Sequence, residues 1–120
     1  MEFGGWMEVD MVQDTVKKIE DAIRRLDSLH SEERKALVSL LSALKEEVGH
    51  LSRTHDEQAR SIAGLTEMAA HEATRKTKSP SLMKHSIEGL VLSTQGFETS
   101  HPKLVQITND ICIMLARIGI

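Results

Sequence analysis

The chain is 120 residues long, with 15 basic and 18 acidic side chains and a formal charge of −3. That field is too weak to make nucleic acid or an anionic membrane the expected main partner. Hydrophobic residues make up 40% and only Phe3, Trp6 and Phe97 are aromatic, a composition ordinary for a globular rather than a disordered protein, so an all-α fold with an aliphatic core is expected. The lone Cys112 rules out an intrachain disulfide. No apolar run approaches the ~20 residues of a membrane span, and the first residues do not read as a signal peptide. A cytoplasmic protein without a cofactor is expected.

Taken in order, residues 1–8 hold two glycines and no apolar period, and are expected to form a disordered segment ahead of a single helical domain over 9–120. A first helix is predicted over 10–29. Val12, Val16, Ile19, Ile23 and Leu26 lie 4, 3, 4 and 3 apart and form one apolar stripe. Ser31 is the expected N-cap of the next helix, with Glu32 and Glu33 favourably placed in its first turn. So short a connection predicts an antiparallel helical hairpin.

The second helix is predicted over 32–75 as one long central element of ~65 Å. Its seam runs Leu37, Leu41, Leu44, Val48, Leu51, His55, Gln58, Ile62, Leu65, Ala69 in unbroken 4-3 alternation, as in a coiled coil. Ala36, Leu40 and Ala43 add apolar groups beside that seam. Gly49 and the capping-box spacing from Thr54 to Glu57 offer a break near 49–55. The unshifted phase through His55 and Gln58 favours continuity, with these two residues as a polar register layer. A first helix of ~30 Å covers only half of such a rod. The remainder then needs the C-terminal helices or another subunit, so a homo-oligomer, preferentially a dimer, is expected.

Arg75 to Pro80 lacks apolar side chains and ends in Ser79-Pro80, an N-cap followed by proline at the first helical position. A third helix is predicted over 80–98 and a fourth over 102–118, together forming a C-terminal helical hairpin. Gly119 is the expected left-handed C-terminal cap, with Ile120 folding back.

Chemistry-bearing groups are sparse. His55, His71, Glu72, Glu98 and His101 are the candidate metal ligands. Glu98 and His101 have the Glu-x-x-His spacing of di-iron bundles, but no second copy exists, and capping of the turn is the simpler role. His71-Glu72 lacks the second histidine of a zinc-protease helix. Cys112 lies in an apolar stretch and reads as a small hydrophobe. No catalytic residues are expected. Arg75, Lys76, Lys78 and Lys84 form a modest basic patch without interleaved aromatics, a weak nucleic-acid signal.

The segment Gly96-Phe-Glu-Thr-Ser-His-Pro-Lys-Leu104 and the closing Arg117-Ile-Gly-Ile120 resemble a family of small bacterial proteins catalogued as domain of unknown function 4404. Glu57-Gln-Ala-Arg-Ser-Ile-Ala-Gly64, Ala70-His-Glu-Ala-Thr-Arg75 and Ser86-Ile-Glu-Gly-Leu90 carry the likeness upstream. The resemblance implies a small helical protein and assigns no catalytic or ligand residue. The functional expectation is a non-enzymatic self-association or protein-interaction module that buries the seam from Leu37 to Leu65 against a partner helix. The alternatives are a metal-binding bundle built on the His/Glu set, or a weak nucleic-acid or anionic-surface binder through the Arg75–Lys84 patch.

Overall fold

A computed structural model describes the backbone of residues 2–26 and 30–119, and side chains over 12–26 and 30–119. Among these residues the secondary structure is helical throughout: α1 (Glu2–Arg24), α2 (Ser31–Leu51), α3 (Asp56–Thr74), α4 (Pro80–Ser93) and α5 (Pro102–Gly119). The all-α expectation holds, as does the antiparallel hairpin of α1 and α2. Gln13 Nε2 donates to Lys45 O at 3.3 Å near one end, and Ser42 Oγ donates to Glu20 Oε2 at 3.0 Å further along.

The long central helix does not form. Helix α2 ends at Leu51 and α3 begins at Asp56, so the predicted rod folds back on itself and the longest dimension is 43 Å. Ser52 Oγ donates to Gly49 O and Thr54 Oγ1 to Leu51 O. These short side chains stabilise a run of turns in competition with helix continuation. His55, with φ −136° and ψ 65°, then restarts the chain as the residue before α3. The capping-box spacing marks the right place, although no side chain caps there.

Gly49 is not the terminator. It lies inside α2 and is buried, with the flexible end of the Gln13 side chain occupying the space a Cβ would take.

The fold-back lets α1 cover both halves. Val12, Val16, Ile19 and Ile23 are buried, and α1 runs antiparallel to α2 but parallel to α3, pairing Lys18 Nζ with Glu67 Oε2 at 2.8 Å. The core face of α3 consists of Ala59, Ile62, Ala63, Thr66, Ala69, Ala70 and Ala73, one position on from the expected seam at 58 and 65. Small residues on this face allow close helix approach. The second half of the predicted seam therefore finds its cover within the chain.

The other boundaries differ in detail. The backbone is helical from Glu2, so the expected disordered segment instead extends α1. Two glycines lower helix propensity by roughly 1 kcal/mol each without preventing a helix when no proline intervenes. At its other end α1 stops at Arg24, short of 29, through 3₁₀-type bonds from Arg25 N to Ala22 O and Leu26 N to Ile23 O. Arg34 donates to the Leu26 carbonyl there. His30, rather than Ser31, occupies the position before α2, while Glu32 and Glu33 sit in its first turn. Ser79 caps α4 as expected, accepting from Leu82 N at 3.4 Å.

Helix α4 ends at Ser93, five residues before the expected limit, because Gly96 adopts φ +95° and turns Phe97 into the core. Gly119 is helical rather than left-handed; lacking a Cβ, it lies close to Met83 Sδ and Ala73 Cα. The expected fold-back of Ile120 lies outside the described residues.

Candidate interaction surface

The predicted interface residues are mostly interior. Leu37, Leu41, Leu44, Val48, Leu51 and Ile62 are all at most 1% exposed, and Leu65 is half-buried against the same core. His55 and Gln58, expected as a polar layer within the seam, are on the surface.

The histidine and glutamate candidates divide into separate neighbourhoods. His55 and His101, each at the start of a helix, meet at one end of the bundle with ring centroids 6.2 Å apart. Phe97 stands edge-on to both at 5.5 Å. The Nδ1 of His55 hydrogen-bonds Thr54 Oγ1, and that of His101 hydrogen-bonds Ser100 Oγ. This ring cluster ties the turn before α3 to the turn before α5, through edge-to-face packing of the kind aromatic rings prefer. Glu98 turns away and accepts from Gly96 N at 2.9 Å, which is the capping role expected of it.

His71 lies instead beside the groove between α1 and α3, and Glu72 accepts from Arg75 at 2.7 Å. Among the described residues no three His, Cys, Asp or Glu side chains form a group able to hold a metal ion. The basic patch is partly committed as well. Arg75 pairs with Glu72 and Lys78 donates to the Ala73 carbonyl, leaving Lys76 and Lys84 exposed. Burial raises the Cys112 thiol to about 11, which keeps it protonated and unreactive near neutral pH.

The surface feature that sequence reasoning did not assemble is a shallow groove of about 440 Å³ between α2 and α5. Ala36, Ser39 and Leu40 form one wall, and Asp110, Ile113 and Met114 the other. Ile113 is 56% exposed. Helices α2 and α5 are antiparallel. The starts of α3 and α5 meet at the His55–His101 pair, the end of α5 approaches Ala73 near the end of α3, and α3 runs opposite to α2. Ala36, Leu40 and Ala43 were visible as apolar residues beside the seam. Ile113 was not distinguishable from the buried residues around it in an apolar helix.

Among the described residues no helix is long and apolar enough to cross a membrane. The family model described as Domain of unknown function (DUF4404) matches residues 37–120. Helix α1 and the first turns of α2 lie outside that stretch, although α1 contributes to the same core. No curated protein and no solved structure matches the chain. With more than two thirds of its length matched by one model, the chain belongs to the family defined by domain of unknown function 4404.

Proposed function

We propose that the chain is a non-enzymatic self-association module of the cytoplasm, working by docking helices on its surface rather than by chemistry. The observation that supports this reading is the apolar groove between α2 and α5, which runs beside the core and has the exposed Ile113 on one wall. Ile113 projects there among Ala36, Leu40 and Met114, presenting apolar surface to water. Such a groove suits a helix laid along it, with side chains at helical spacing as anchors. The seam from Leu37 to Leu65 retains a different role: it holds the groove's walls in place.

Sedimentation velocity from micromolar to near-millimolar concentration tests the reading. The expected result is a weight-average mass rising from one chain toward two. A mass that stays at one chain over that range would retire self-association.

A further inference from the structure

Resting on that reading, we infer that the α2–α5 face receives a second copy of this chain, in a two-fold arrangement that lays α2 of each copy on α5 of the other. The argument is the charge pattern bordering the groove. On α2 a stripe at 3-4 spacing reads Glu33, Ala36, Leu40, Ala43, Glu47, with apolar residues between two carboxylates. On α5 the neighbouring stripe reads Lys103, Gln106, Asp110, Ile113, Arg117, flanked by two cations. The acidic ends are 14 residues apart and so are the basic ends, ~21 Å in each helix at 1.5 Å per residue. Among the described residues none of the four charges forms an ion pair within the chain.

Two face-to-face pairings are compatible with a two-fold axis in the plane of the groove. An axis across the helices lays α2 on the partner's α2, setting Glu33 against the partner's Glu47 and Lys103 against the partner's Arg117. Like charges directly opposed disfavour it. An axis along the helices lays α2 on the partner's α5. Because these helices are antiparallel within a chain, Glu33 then faces the partner's Arg117 and Glu47 faces the partner's Lys103. The four charged ends are complementary, each Ile113 lies over the partner's Ala36, and Asp110 of the groove wall comes level with the partner's Leu40. The interface is isologous, as closed dimers require.

Four proteins compared by sedimentation test the arrangement: the wild type, Ile113→Glu, the acidic pair reversed (Glu33→Lys with Glu47→Lys), and a chain with that pair and Lys103→Glu and Arg117→Glu reversed together. Ile113→Glu is expected to weaken dimerisation roughly a hundredfold, as for a central anchor. Reversal of the acidic pair is expected to weaken it roughly tenfold, and reversal of all four is expected to return it to near the wild-type value. Thermal unfolding in dilute solution checks that each variant folds.

If the wild type dimerises but Ile113→Glu and the acidic reversal leave its Kd unchanged, this face is wrong while self-association stands. If the acidic reversal leaves the Kd unchanged and Ile113→Glu does not, the face survives and the arrangement of α2 on α5 is overturned. A wild type that never leaves the monomer overturns the self-association reading itself, and this inference with it.

Discussion

Two threonines with the same burial show how little residue identity says without its hydrogen bonds. Thr66 and Thr108 are both fully buried on helices that face the core. Thr66 Oγ1 donates to Ile62 O at 2.7 Å, so its hydroxyl is satisfied by the preceding turn of α3. Thr108 Oγ1 is buried without a hydrogen-bond partner. An orphaned hydroxyl in a dry interior keeps its desolvation cost, ~1–3 kcal/mol, with no compensating bond. Valine is close in shape and carries no polar atom, so the two substitutions should differ in sign. Thr108→Val is expected to stabilise the fold by about 1 kcal/mol, while Thr66→Val loses a bond and costs up to about 1 kcal/mol. Urea unfolding of the two variants checks both. Destabilisation by Thr108→Val would mean that its hydroxyl has a partner in solution.

At the level of the elements, two glycines make the corresponding contrast. Gly64 lies within α3, and a Cβ there would meet nothing within 4 Å. Gly64→Ala should therefore stabilise α3 by roughly 0.5–1 kcal/mol, because alanine loses less backbone freedom on entering a helix. Gly96 also has open space around it, but at φ +95° an L side chain is strained whatever the room. Gly96→Ala should cost about 1–2 kcal/mol, read as a lower melting midpoint with unchanged helical content.

These elements also show where the sequence was readable. Ser79-Pro80 and Pro102 marked the starts of α4 and α5 correctly, because capping and the missing proline N–H are local effects. The break between α2 and α3 was hidden by coincidence: Ile62 and Ala69 serve both the expected seam and the true core face. The better signal was the seven-residue run Ser52 to Gln58, which carries no apolar side chain. The α2–α5 groove was only half legible, since an apolar helix does not announce which of its residues will remain outside.

Over the whole molecule, the decisive question is whether the part matched by the family model, 37–120, holds its shape without α1. The structure argues that it does not. Val12, Val16, Ile19 and Ile23 are each at most 4% exposed, and they close the core over α2 and α3 together. Burial of four such side chains contributes roughly 1.5–3 kcal/mol apiece, comparable to the ~5–15 kcal/mol net stability of a typical domain.

The polar contacts point the same way. Glu20, 3% exposed, faces Lys45 Nζ at 3.3 Å and accepts from Ser42 Oγ, so removing α1 strips α2 of its partner carboxylate. It also uncovers the seam from Leu37 to Leu51, which would then be free to pair with other chains. A protein beginning at His30 is accordingly expected to lose its sharp thermal transition, bind a dye that reports exposed apolar surface, and sediment as mixed oligomers insensitive to Ile113→Glu. A cooperative, compact chain from His30 onward would show that α2 to α5 complete the core alone and that α1 is an addition to it.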